Sequence, residues 1–148
     1  FAIDPTSRTW VIAHVGDSRA YRVRDGALEQ LTRDATWVQA QIDSAALGAE
    51  AARARQYAHL LTQCVGLEDP PRPQVSSGDC RSGDTYLLCT DGLVGMLDEE
   101  TLTDLLARHS TSNGTGDETV QALLAAANEA GGHDNVTAAI VRLPPDAP

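Results

Sequence analysis

The chain has 148 residues, 42% of them hydrophobic, which is enough for one domain with its own core, and no internal repeat points to an array. Asp and Glu number 21 against 11 Lys and Arg, and the resulting net charge of −10 repels nucleic acid and anionic lipid, so a phosphate-bearing partner needs metal ions to draw it in. The apolar runs are far shorter than the roughly 20 residues of a membrane span, and Cys64, Cys80 and Cys89 are an odd set without a C-x-x-C pair; reduced thiols, a cytoplasmic setting and no membrane or nucleic-acid partner are expected.

In chain order, "RTWVIAHV", "RAYRVR" and "ALEQL" read as three strands, rich in β-formers, and Asp25-Gly26 between the last two is the signal for a tight type I′ hairpin. "TWVQAQIDSAAL" spaces Trp37, Val38, Gln41, Ile42 and Ala45 as an amphipathic helix does, with Gly48 as its stop; Glu50 to Leu61 is Ala- and Arg-rich without a clear stripe and reads as a second helical stretch. Prolines at "DPPRP" and the turn "RSGD" bracket "QVSSGDC", an edge strand, and "TYLLC" follows as a buried strand. After "TDGL" a helix begins at a clear signal: Asp98 as N-cap, Glu99 and Glu100 at the positive end of the dipole, Leu97 and Leu102 as a hydrophobic staple, and Leu102, Leu105 and Leu106 as the buried stripe. A further helix runs from about Glu118, with Val120, Leu123, Leu124 and Ala127 on one face and Gly131 closing it, and "NVTAAIV" is the last strand. Strands early and helices late give an α+β layered domain over residues 1–148.

Asp17, Asp91 and Asp134 each stand beside small residues at the end of a strand-like run. Alone, each reads more readily as a turn former, and "GGHDNVT" at 131–137 is equally a plain turn or the delivery of Asp134 to a site. Together, three carboxylates brought in by three loops are what hard divalent cations take as oxygen ligands. The four histidines are scattered and read as surface or capping residues, with His133, beside Asp134, the best candidate for a supporting role at a metal.

The motifs "AHVGDSRAYRVRDGALEQLTRD", "GDTYLLCTDGL" and "GGHDNVT" resemble, in order and spacing, the C-terminal motifs of the metal-dependent Ser/Thr protein phosphatases of the PPM or type 2C class, in their bacterial form; the likeness runs from near residue 10 to near 143 and takes in "LLTQCVG" at 60–66. The resemblance implies part of a four-layer α-β-β-α sandwich with antiparallel sheets, Mn²⁺ or Mg²⁺ as cofactor, phosphoproteins of signalling pathways as substrates, and hydrolysis of phosphoserine and phosphothreonine by a metal-activated water. It also implies that Asp91 and Asp134 ligate one ion, that Asp17 and Asp91 share another, and that Asn135 orients Asp134 while His133 supports it. The family's N-terminal half, with a phosphate-binding arginine and a D-G-x-G-G motif whose Asp bridges two ions, has no counterpart here, and Arg55-Gln56 stands where the family has His-Pro. The chain is therefore expected to be the C-terminal portion of a catalytic domain, inactive alone and prone to self-association through uncovered sheet, or else a non-catalytic PPM-like module. A Ser hydrolase reading of "GDSRA", with Ser18 as nucleophile, requires a helix after the serine and a late D-x-x-H, and the sequence offers a hairpin and no such pair.

Overall fold

The computed structural model describes residues 1–44, 57, 60–67, 70–111 and 116–144; Gly48, Arg55-Gln56 and most of the 50–61 stretch lie outside the described residues. The elements are β1 (Ala2–Asp4), β2 (Thr9–His14), β3 (Arg19–Arg24), β4 (Ala27–Gln30), α1 (Trp37–Asp43), β5 (Gln74–Asp79), β6 (Thr85–Cys89), α2 (Asp91–Val94), α3 (Glu99–Thr111), α4 (Gly116–Glu129) and β7 (Ala138–Arg142). They build two antiparallel sheets, ordered β1-β2-β5 and β4-β3-β6-β7.

The alternation along the strands sorts side chains into two cores. Tyr21 and Val23 of β3 and Leu87 and Cys89 of β6 face Leu93, Leu97, Leu102, Leu106, Leu123 and Ala127 of the helices, while Ala20 and Tyr86 face the other sheet and meet Trp10, Ile12 and Cys80. "TYLLC" is an unbroken apolar run because β6 is covered on both sides. The helices lie on the four-stranded sheet and that sheet lies on the three-stranded one, an α+β sandwich with two stacked antiparallel sheets, as expected. The outward face of the three-stranded sheet leaves Val11 44% and Val75 68% exposed.

Most local signals act as their chemistry requires. Asp25 and Gly26 take φ of 51° and 80°, the two positive values of a type I′ turn. Thr36 caps α1, accepting the Gln39 N–H at 3.2 Å. Asp98 accepts the Thr101 N–H at 2.9 Å, and its neighbours Leu97 and Leu102 are both in the core. At the end of α4, Gly132 donates to the Ala127 carbonyl at 3.1 Å and Gly131 to Asn128 at 3.2 Å, the bond pair of a Schellman closure. β5 is an edge strand, as its flanking prolines imply. The opening "FAI", which resembles the end of a strand of the family, runs into β1, and the Asp4 carboxylate turns the chain after it by accepting the Thr6 N–H at 2.8 Å and the Ser7 hydroxyl at 2.7 Å. One reading changes: "NVT" is connecting backbone, with the last strand starting at Ala138.

At the end where β6 begins, Asp84 is 1% exposed and holds the layers together. Arg24 grips it with two bonds of 2.8 and 2.7 Å and reaches Asp79 at 2.9 Å, while the Arg81 N–H and the Tyr86 hydroxyl also donate to Asp84, at 2.8 and 3.0 Å. Asp79 belongs to β5 and Arg24 to β3, so this network ties one sheet to the other.

Candidate metal centre

The other end of β6 delivers Asp91. Extended backbone at Thr90 passes directly into the single turn α2, anchored by the fully buried Leu93. Asp91 accepts its neighbour Gly92's N–H at 2.9 Å, which fixes one carboxylate oxygen. Thr90 is joined to the loop before β7: its N–H donates to the Thr137 carbonyl at 3.0 Å, and its hydroxyl accepts the Thr137 N–H at 3.0 Å and donates to the Asn135 carbonyl at 3.3 Å. Gly92 is pressed against the same loop. A Cβ on it would collide with the Asn135 carbonyl oxygen and stand 3.4 Å from the Cβ of Asp134. Only glycine lets the loops of Asp91 and Asp134 approach this closely.

Asp17 comes from the bend between β2 and β3, entered through Gly16 at φ 109°. It lines a cavity of about 230 Å³ together with Asp91, Arg19, Asp34, Thr36 and Val94. Burial pushes the Asp17 carboxyl above its ordinary range, and the negative charge of Asp91 pushes it the same way. The cation in this cavity is already engaged: Arg19 grips Asp34 with bonds of 2.9, 3.1 and 2.7 Å and donates to the Tyr21 hydroxyl at 3.0 Å. Burial works against that guanidinium's charge, but the Asp34 bonds outweigh it and hold Arg19 firmly protonated. Beneath, burial raises the Cys89 thiol to about 11, so it is an inert core group.

The expected residues are thus brought together in part. Asp17 and Asp91 share a cavity; Asp134 is exposed on the adjoining loop, its Oδ1 accepting the Asn135 backbone N–H at 2.7 Å. The contact between Asn135 and Asp134 is made by the main-chain N–H of Asn135. His133 is exposed and turns back over Gly131, where a Cβ would lie 2.8 Å from its Nε2. Among the described residues no group of three His, Cys, Asp or Glu side chains is placed to hold an ion, so a centre built on these carboxylates would need further ligands. Sequence reasoning overlooked Arg19, Asp34 and Thr36. The signal was present in "GDSR" and "LTRDAT", an arginine and an aspartate each two residues from a candidate site or cap residue, but only the fold pairs them. Ser18 leads straight into β3, which removes the helix that a serine nucleophile of that type needs.

Comparison with known proteins bears on the family and the fold. Residues 26–144 match the family of Stage II sporulation protein E (SpoIIE). The serine/threonine protein phosphatase PstP of Mycobacterium tuberculosis is 33% identical over 129 residues, 87% of this chain and 24% of that protein. Protein phosphatase PhpP of Streptococcus pneumoniae is 33% identical over 133 residues, 90% of this chain and 52% of that protein. Among solved structures, the S. agalactiae serine/threonine phosphatase superposes with a TM-score of 0.82 at 32% identity, covering 92% of this chain and 55% of that one. The catalytic domain of PstP in complex with two manganese ions superposes with a TM-score of 0.68 at 34% identity, covering 90% and 54%. The chain spans about half the length of PhpP and of these solved structures. With motifs, fold and relatives in agreement, the chain belongs to the PPM, or type 2C, family of protein phosphatases.

Proposed function

We propose that this chain is the C-terminal portion of a cytoplasmic, metal-dependent Ser/Thr phosphatase domain that acts on phosphoproteins in signalling, and that Asp17, Asp91 and Asp134 are its contribution to a Mn²⁺ or Mg²⁺ centre. The observation that carries the proposal is the shared cavity of Asp17 and Asp91, with the loop of Asp134 held against Gly92. Asp91 and Asp134 would hold one ion, and Asp17 with Asp91 another. Such ions, when bound, acidify water and stabilise the oxygens of an in-line phosphoryl displacement. The chain's own residues position these ligands. The Gly92 and Asn135 N–H groups each fix one oxygen of Asp91 and Asp134, and Arg19 clamped on Asp34 sets the wall beside Asp17. His133 stands next to Asp134 at the rim.

The bridging carboxylate and the phosphate-binding arginine would come from the portion that the relatives carry beyond this chain's match, so residues 1–148 alone should not turn over substrate. In isolation the outward face around Val11 and Val75 should promote self-association. The test is calorimetric titration of Mn²⁺ into wild type and Asp91→Asn, with p-nitrophenyl phosphate and phosphothreonine-peptide assays on this chain and on an in-frame extended polypeptide. Weak binding lost in Asp91→Asn, with activity confined to the longer polypeptide, is expected. Equal heats from both proteins would refute the ligand assignment, and robust turnover by 1–148 alone would refute the division of ligands. A second reading, a non-catalytic PPM-like module, draws on the absence of a three-residue metal cluster among the described residues, and inactivity of both lengths would decide for it.

A further inference from the structure

Asp17 lies in a short bend, residues 15–18, that joins the end of β2 at His14 to the start of β3 at Arg19. A carboxylate that is to meet a cation binds best when it is held in place beforehand, because a ligand free to swing loses part of its binding to ordering. No strand or helix fixes this bend, so the hold must come from neighbouring chain. It comes from the residues just after β4, and on both flanks. Before Asp17, the Gly16 carbonyl accepts the Ala35 N–H at 2.8 Å. After it, the Arg19 guanidinium reaches both Asp34 oxygens through Nε and Nη2, with bonds of 2.9, 3.1 and 2.7 Å. Two consecutive residues, Asp34 and Ala35, thus pin both sides of a bend in which Asp17 and Ser18 stand between the pins.

The pins are themselves secured. The Asp34 side chain is 12% exposed, so water and salt weaken its bonds to Arg19 little, and Gln30 of β4 also donates to it at 3.3 Å. Ala35 and Thr36 are buried. On the far side of the segment the Ala35 carbonyl accepts the Thr62 N–H at 2.7 Å, and Trp37 donates to the Leu60 carbonyl at 2.8 Å. The segment therefore has its own anchors and can serve as a template for the bend. Asp34 also lines the cavity of Asp17 and Asp91, yet both of its oxygens are taken by Arg19, so it enters that cavity as half of an ion pair and not as a free ligand.

We propose that Asp34 is a positioning residue for Asp17: together with the Ala35 N–H it holds the bend from Gly16 to Arg19, so that the Asp17 carboxylate stays in the cavity it shares with Asp91. The inference rests on the reading of Asp17 and Asp91 as metal ligands. It gives an acid inside that cavity a mechanical task, the hold on a neighbouring ligand, in place of ligation.

The experiment compares wild type, Asp34→Asn, Arg19→Lys, Asp17→Asn and the double variant Asp17→Asn/Asp34→Asn in the 148-residue chain, by ¹⁵N backbone relaxation without metal and by calorimetric titration of Mn²⁺. Asparagine keeps the shape of Asp34 and one acceptor oxygen, and lysine keeps the charge of Arg19 without its fork. The Asp17 and Ser18 amides should show order parameters of about 0.85 in wild type that fall toward about 0.6 in Asp34→Asn and Arg19→Lys, with those of α3 unchanged. Mn²⁺ affinity should drop about tenfold in both, the lower end of what loss of a ligand's supporting partner costs. In the Asp17→Asn background Asp34→Asn should change the heats no further, because no carboxylate is left to position. If Asp34→Asn does not fold, Arg19→Lys gives the same two readings. A bend as rigid in these variants as in wild type overturns the proposal. So does an affinity loss of the same size with and without Asp17, which would make Asp34 a general structural residue. A loosened bend with Mn²⁺ heats that are absent or indifferent to Asp17→Asn would refute the metal reading and leave the hold of Asp34 on the bend intact.

Discussion

Gly92→Ala tests whether the loops of Asp91 and Asp134 are held together through the contact described above. The new methyl would overlap the Asn135 carbonyl oxygen and lie 3.1 Å from its carbon. That carbonyl cannot retreat freely, because it accepts the Thr90 hydroxyl and belongs to the strap that Thr90 makes with Thr137. Overpacking of this kind costs about 1–3 kcal/mol, and loss of the Thr90 bond adds about 1 kcal/mol. Against this, alanine gains about 1 kcal/mol over glycine inside α2. The expected net effect is a loss of about 1–3 kcal/mol in thermal unfolding followed by circular dichroism, at roughly 2–4 °C of midpoint per kcal/mol. Because Asp134 moves with the loop, Mn²⁺ heats should fall as they do for Asp134→Asn, although no carboxylate has been removed. An unchanged midpoint together with unchanged heats would refute the reasoning, since it would mean that the two loops do not depend on their contact.

Two other substitutions probe the frame. Asp84→Ala leaves the Tyr86 hydroxyl and one face of Arg24 unmatched inside the protein; a broken buried pair costs about 3–5 kcal/mol, and the lower end applies because Arg24 keeps Asp79. Burial raises the Asp84 carboxyl, but Arg24, the Arg81 N–H and the Tyr86 hydroxyl together bring it below the ordinary range, so its contribution is complete above the unfolded value near 3.8 and disappears as pH falls through the lower folded value. Wild type should therefore lose stability in acid below about pH 4 more steeply than Asp84→Ala, which urea midpoints across that range would check. Asp98→Ala should lower the denaturation midpoint by removing the cap on Thr101 while leaving Mn²⁺ heats unchanged; loss of metal binding in a folded Asp98→Ala protein would show that structural and site carboxylates have been confused.

The parts of the fold that could be read directly are those in which one short segment determines its own geometry. Asp25-Gly26 needs no partner to form its turn, and Leu97-Asp98 with Leu102 specifies the start of α3 within six residues. β1 is legible only through the likeness of "FAI" to the end of a family strand, because its turn depends on the Asp4 side chain bonding forward to Thr6 and Ser7 and three apolar residues at the chain's start carry no period. Arg19 and Asp34 are separated by the whole β3-β4 hairpin, so their pairing is a property of the sheet and not of any motif. His14 was expected at the surface or at a cap. It is half-buried, with both ring nitrogens shielded, because strand parity places it with Trp10 and Ile12, a consequence of register that a count of histidines does not reveal.

The five-residue strand β6 has an aspartate just outside each end, Asp84 ahead of Thr85 and Asp91 beyond Cys89, and the two differ in that an arginine pairs with the first. All 11 basic residues of the chain are arginine, whose planar fork suits fixed, bidentate pairing with carboxylates. Arg19 takes Asp34, Arg24 takes Asp84 and Asp79, Arg22 takes Glu29, Arg33 takes Asp43 and Arg81 takes Asp79. Among the described residues none pairs with Asp17, Asp91 or Asp134. Among the described residues the arginines thus neutralise acids other than the three strand-end aspartates, Asp79 and Asp84 of the sheet-to-sheet network among them. Arg19 lines the same cavity as Asp17 and Asp91, and its bonds to Asp34 commit that guanidinium to a carboxylate other than those two.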